Sequence, residues 1–146
     1  MSVRRIVFVA ENCIQCHSCE SSCKIWRDVE PGVNWRRIEF RWQGSYPQVD
    51  NIALSSACRH CSEPACLAAC PSGAIEREET QGLILVRREK CIGCKACLKA
   101  CPYAVPEFGS DRTMQKCDLC FPVKDQVSTP ICVANCPTKA LQIEEG

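Results

Sequence analysis

The apolar positions of the chain fall into short clusters separated by polar stretches. Residues 4–9, "RRIVFV", form a β-branched run that predicts a strand. Residues 74–78 and 83–87 predict a hairpin turning at "ETQG", and 139–143 predict a last strand. The run after Cys19 and the runs leading to Cys70, Cys101 and Cys136 can each make one short helix. Between them, 24–57 is the longest segment without cysteine. There Pro31-Gly32 and Gly44 to Pro47 read as turns around a strand over 35–41.

Composition changes this picture. Sixteen of the 146 residues are cysteine, enough for a disulfide scaffold in a short secreted protein. The opening "MSVRRIVFVAENC" argues against secretion: its apolar run, Ile6 to Ala10, is too brief for a signal peptide. No stretch approaches the apolar length of a membrane span. The expectation is a cytoplasmic chain in a reducing compartment, where paired cysteines bind metal more often than each other. The formal charge of +1 would become about −7 if the thiols were thiolates of four iron–sulfur clusters. With scattered basic residues and few aromatics, a nucleic-acid partner is not expected.

The cysteines repeat. "IVFVAENCIQCHSCESSC" (6–23) matches "ILVRREKCIGCKACLKAC" (84–101) at a constant offset of 78 residues. Both carry C-x2-C-x2-C-x3-C after an apolar lead-in. A second kind of run appears as "CRHCSEPACLAACPSGAI" (58–75) and again as "KCDLCFPVKDQVSTPICVANCPTKAL" (116–141). The later copy is seven residues longer, all within one gap, as a surface loop tolerates.

A C-x2-C-x2-C-x3-C-P run is the ligand pattern of bacterial two-cluster ferredoxins, whose fourth cysteine serves the other cluster. Runs must then be paired. The segment between Cys70 and Cys91 reads as the hairpin joining two halves of such a unit, which pairs the second run with the third. By elimination the first pairs with the fourth. The expected ligand sets are Cys13, Cys16, Cys19 with Cys136, and Cys117, Cys120, Cys132 with Cys23. The inner sets are Cys58, Cys61, Cys66 with Cys101, and Cys91, Cys94, Cys97 with Cys70. The expected fold is α+β, two tandem ferredoxin-like units related by pseudo-twofold symmetry. The outer unit is 1–57 plus 102–146, and the inner unit is 58–101.

With these motifs in place the chain resembles the four-cluster iron–sulfur subunits of molybdenum and tungsten oxidoreductases, typified by the dimethyl-sulfoxide reductase electron-transfer subunit. The resemblance covers nearly the whole chain and supports the same pairing. Some relatives replace one cysteine by tryptophan, but all sixteen positions are kept here, so four [4Fe–4S] clusters are implied. Cys23 is followed by Lys24 where the other fourth cysteines precede proline, which weakens that helix exit.

The resemblance implies a non-catalytic wire between a molybdo- or tungstopterin catalytic subunit and another redox partner. The short chain resembles small subunits of tungsten aldehyde oxidoreductases, which would add a flavin/NAD subunit. Formate dehydrogenase, hydrogenase and carbon-monoxide dehydrogenase partners stay open, as does head-to-tail self-association. A diffusible polyferredoxin and a zinc-stabilised module are the competing classes. Apolar exposure in 24–57 and in the 121–131 loop would mark a docking subunit, and a charged surface a free carrier. His17 and His60 are expected as hydrogen-bonding neighbours or surface groups, and Trp26, Trp35 and Trp42 as packing or contact residues. Lys95, Lys99 and Lys116 are expected to be solvated or to raise a cluster potential. No phosphate loop, nucleotide fingerprint or catalytic constellation is present.

Overall fold

A computed structural model describes residues 4–146; residues 1–3 of the expected outer unit lie outside the described residues. In chain order the elements are β1 (Arg4–Phe8), α1 (Ser18–Trp26), β2 (Arg36–Ser45), β3 (Gln48–Ala57), α2 (Ala65–Ala69), β4 (Ile75–Arg77) and β5 (Ile84–Val86). There follow α3 (Ala96–Ala100), β6 (Glu107–Phe108), β7 (Met114–Gln115), α4 (Ile131–Ala134) and β8 (Leu141–Glu145). The strands form four separate antiparallel ribbons, β1–β8, β2–β3, β4–β5 and β6–β7. Such ribbons are marginal alone, so each must be held by what packs against it.

Two small cores do this. Ile6, Phe8 and Leu141 of the β1–β8 ribbon pack with Ile38, Cys19 and Cys132, where α1 meets α4. Ile75 and Ile84 of the β4–β5 ribbon pack with Met114, Phe108 and Cys97, where α2 meets α3. Phe8 stands opposite Leu141 in the register, so a one-residue slip would turn this apolar pair to solvent. The salt bridges at the ribbon's other end, half-buried Arg4 with exposed Glu145 (3.3 Å) and exposed Arg5 with Glu144, open to solvent on the glutamate side and are worth at most about 1 kcal/mol each. Few large side chains are fully enclosed: Leu83, Ile84, Met114 and His60. At roughly 1.5–3 kcal/mol per buried aliphatic side chain, cores this small need cross-linking, as other small domains do.

The structure departs from the sequence reading at three places. Residues 48–57, which lack a two-residue apolar alternation, form a full strand because β2 pairs with them from Arg36↔Ala57 to Ser45↔Gln48. The last strand begins at Leu141 because Lys139 adopts a left-handed conformation (φ 56°) that ends the preceding loop. Phe108 and Met114, from the segment expected in the outer unit, pack into the inner core. Among the described residues, no helix is long and apolar enough to cross a membrane.

Candidate metal centres

The cysteine loops share one backbone device. In every run the residue before the second cysteine is left-handed: Gln15 (58°), His60 (48°), Gly93 (71°) and Leu119 (54°). Three of these are not glycine, so the loop holds a conformation costing about 1 kcal/mol or more at each. The turn curls the chain so that the flanking cysteines face inward. Two of the fourth cysteines then follow directly after a helix, α2 ending at Ala69 before Cys70 and α3 at Ala100 before Cys101. Proline after the cysteine stops both helices by lacking an N–H. With Lys24 in that place, α1 runs on through Cys23 to Trp26.

The folded loops bring cysteines to shared hollows, though among the described residues no three ligating side chains stand close enough to hold a single metal ion. Cys13, Cys16, Cys19 and Cys136 line one hollow together with Phe8, Ile38 and Leu141. Cys58, Cys61, Cys66 and Cys101 line a second. Cys70, Cys91, Cys94 and Cys97 line a third. Cys23, Cys117, Cys120 and Cys132 are all buried, with Cys23 in electrostatic reach of the other three. Between groups, Cys19 packs in one core with Cys132 and Cys97 packs in the other with Cys66, while Cys58 is in electrostatic reach of Cys117. These neighbours fit one order: the Cys13, Cys117, Cys58 and Cys91 groups. Only Cys16 and Cys94, one in each end group, are exposed.

The donors around these sulfurs suit metal-bound thiolates. Backbone N–H groups point at Cys91 Sγ from Met114 (3.3 Å), at Cys136 Sγ from Ala140 (3.2 Å) and at Cys58 Sγ from His60 (3.5 Å). Hydrogen bonding, chiefly from the Ser18 side chain, lowers the Cys16 pKa. Around Cys70 burial pushes upward, but hydrogen bonds from Ser72, Ala74 and Ile75 outweigh it and lower the pKa. In the interior the balance reverses. Burial pushes Cys19 and Cys97 up to about 11, and Cys23 and Cys117 up to about 12. A metal at those positions would displace protons that burial otherwise retains.

Neighbouring residues fall out as follows. His17 Nδ1 lies 2.5 Å from the Glu20 carboxylate, and its ring meets Phe40 edge-on. His60 is fully buried; its Nδ1 accepts the Ile84 N–H at 3.0 Å, and burial, then nearby Lys116, push its pKa down to about 3. Trp35 donates to Gln115 at 3.2 Å and packs under Arg27, while Trp26 and Trp42 face solvent. Lys95 and Lys99 are exposed, whereas Lys116, read from sequence as at least as readily solvated, is buried. Sequence reasoning missed Arg36, buried with Ser55 as hydrogen-bond partner at 2.8 Å. Its signal was the strand period: Arg36 and Ile38 share one face.

Comparison with known proteins fits this arrangement. A family described as "4Fe-4S dicluster domain" matches residues 49–146, and one described as "4Fe-4S binding domain" matches 10–30. The chain is 38% identical over 143 residues to YnfG of Escherichia coli K12, a probable anaerobic dimethyl sulfoxide reductase component, spanning 91% of this chain and 69% of that one. It is 39% identical over 142 residues to the B chain of the anaerobic dimethyl sulfoxide reductase of the same strain (90% and 68%). The B subunit of the Allochromatium vinosum sulfite dehydrogenase is 33% identical over 150 residues (88% and 62%). The protein therefore carries [4Fe–4S] clusters, four by its sixteen cysteines, and serves as a non-catalytic electron-transfer subunit of an oxidoreductase complex. It belongs to the iron–sulfur subunit family typified by the anaerobic dimethyl sulfoxide reductase B chain.

Proposed function

We propose that the protein is a four-cluster wire joining a molybdo- or tungstopterin catalytic subunit to a second redox partner. The observation that carries this reading is the pair of exposed cysteines, Cys16 and Cys94, in the two end groups of the series. Each stands beside an exposed isoleucine, Ile14 (63%) and Ile92 (69%), at the same offset of the repeat. A wire needs two surface terminals, and apolar rims suit docking to a partner.

In this proposal the ligand sets are Cys13, Cys16, Cys19, Cys136; Cys23, Cys117, Cys120, Cys132; Cys58, Cys61, Cys66, Cys101; and Cys70, Cys91, Cys94, Cys97. Two ferredoxin-like units with a pseudo-twofold relation account for the 78-residue repeat. The clusters supply one-electron transfer when bound; the polypeptide supplies thiolates, N–H···S donors and exclusion of water, which together tune the potentials. A cytoplasmic, reducing compartment suits so many thiols.

Docking is favoured over a free carrier by the 36–57 hairpin. Its inner face, Arg36 and Ile38, continues outward as Phe40 and Trp42 beside Val49, all three exposed. The 121–131 loop does not add to this surface: Phe121, Val123 and Val127 are half-buried. The finer reading, a tungsten aldehyde oxidoreductase with a flavin subunit and head-to-tail copies of this protein, rests on family resemblance alone. Anaerobic pull-down of the tagged protein from its source tests it. Co-purification of a pterin subunit whose substrate bleaches the brown chromophore supports the wire. Recovery of the protein alone, reduced equally by unrelated enzymes, would establish the diffusible carrier instead.

A further inference from the structure

Two buried cations lie beside the thiol groups, and neither has a carboxylate. Arg36 is 5% exposed and Lys116 is 4% exposed, and among the described residues no acidic side chain pairs with either. Arg36 Nη1 reaches Ser55, while its Nε has no partner. Lys116 Nζ donates only to the carbonyls of Ile84 and Cys117, the latter at 3.2 Å. Burying a charge with so little compensation is strongly unfavourable unless an opposite charge is close. The groups within reach are the cysteines. Arg36 shares a strand face with Ile38, which packs against Cys19 and Cys132, and it is in electrostatic reach of Cys132, Cys117 and Cys19. Lys116 lines the Cys58 group's hollow and directly precedes Cys117.

On the ligand sets proposed above, we infer that Arg36 and Lys116 are fixed countercharges at two successive junctions of the wire. Arg36 stands between the Cys13 and Cys117 clusters, and Lys116 between the Cys117 and Cys58 clusters. A reduced cluster carries one more negative charge, so a nearby buried cation favours the reduced form. The Cys117 cluster, flanked by both cations, holds the highest potential of the four. The Cys91 cluster touches neither; its cationic neighbour is exposed Lys95, whose charge is screened by solvent. The series thus has a well at its second position, where an electron rests between arrivals and departures.

The test is an EPR-monitored redox titration of the iron-loaded protein and its Lys116→Met, Lys116→Arg and Arg36→Gln variants, with iron counted in each. Lys116→Met should disfavour reduction of the Cys58 and Cys117 clusters by about tenfold or more, a fall of about 59 mV for one electron. The Cys91 cluster should not move, and Lys116→Arg should restore the potentials. Arg36→Gln should instead lower the Cys13 and Cys117 clusters. Full iron with unmoved potentials, or an equal shift of all four, overturns the countercharge inference and leaves the ligand sets standing. Unaltered protein with too little iron for four clusters overturns the ligand sets themselves. Should the neutral variants fail to hold clusters, the unaltered protein decides. The first signal to appear on reduction should be the one that Cys120→Ser removes or alters, and a first signal indifferent to Cys120 overturns the inference.

Discussion

The guanidinium of Arg27 lies 2.5 Å from the carboxylate of Asp118, tying the end of α1 to the loop between Cys117 and Cys120. Both side chains are largely buried, Arg27 also covers the Trp35 ring at 5.5 Å, and Asp118 accepts the Cys120 N–H at 3.0 Å. One ion pair thus fixes both Cys23's helix and the loop that faces it. Removing one partner of a buried pair leaves the other uncompensated, at about 3–5 kcal/mol. Asp118→Ala should therefore lower the denaturation midpoint and bleach one cluster before the others. Chromophore loss during a denaturant titration measures this.

Gly93 offers a cleaner local test. At φ +71° an added Cβ would sit 2.7 Å from the Arg112 carbonyl oxygen, whereas at Gly73, φ +65°, it would meet nothing within 4 Å. Gly93→Ala should open the loop carrying Cys91 and Cys94 and lose about a quarter of the iron. Gly73→Ala should keep all of it, at a cost of about 1–2 kcal/mol for the left-handed alanine. Iron analysis of the two purified variants separates these outcomes.

Iron removal should unfold the protein. Cys19 and Cys132 belong to one core and Cys97 to the other, so metal and packing are lost together. Structure surviving chelation should be alkali-sensitive. The Cys23 thiol is held up to about 12 by burial first and by the neighbouring cysteines next, against an ordinary value of 9.0. A folded pKa above the unfolded one gives stability below about 9 that is lost as pH rises towards 12. With Cys23 as a ligand in the proposed set, the iron-loaded protein would hold this sulfur as a thiolate and should lack that transition. Circular dichroism against pH, with and without iron, checks both statements.

The hairpin tip should matter to assembly and not to cluster content. Trp42 and Tyr46 are 69% and 92% exposed, and buried aromatic anchors at an interface are worth about 2 kcal/mol or more. Trp42→Ala should weaken binding to the co-purified large subunit roughly thirtyfold, with visible absorbance unchanged. Surface plasmon resonance on the reconstituted pair reads this directly.

The cysteines that line the three hollows were legible as groups because their spacing is a local code. The proline after most fourth cysteines is a property of adjacent residues, whereas the left-handed residue before each second cysteine has no sequence signal where it is Gln15, His60 or Leu119. What else escaped depends on pairing across distance. The 48–57 strand has no period of its own and takes its form from β2. Met114 sits in an unremarkable stretch, yet its side chain fills the inner core and its N–H reaches Cys91. Lys116 resembles any surface lysine until the fold encloses it beside the cysteine groups.

The exchange of fourth ligands between distant runs is tested most directly by EPR of the reduced Cys136→Ser protein against Cys13→Ser and Cys117→Ser. Cys136 and Cys13 line the same hollow though 123 residues apart in sequence. Cys136→Ser should perturb the same signal as Cys13→Ser and leave the signal sensitive to Cys117 intact. A Cys136→Ser spectrum that instead matches Cys117→Ser would mean that the fourth run keeps its own ligands, contradicting the exchange.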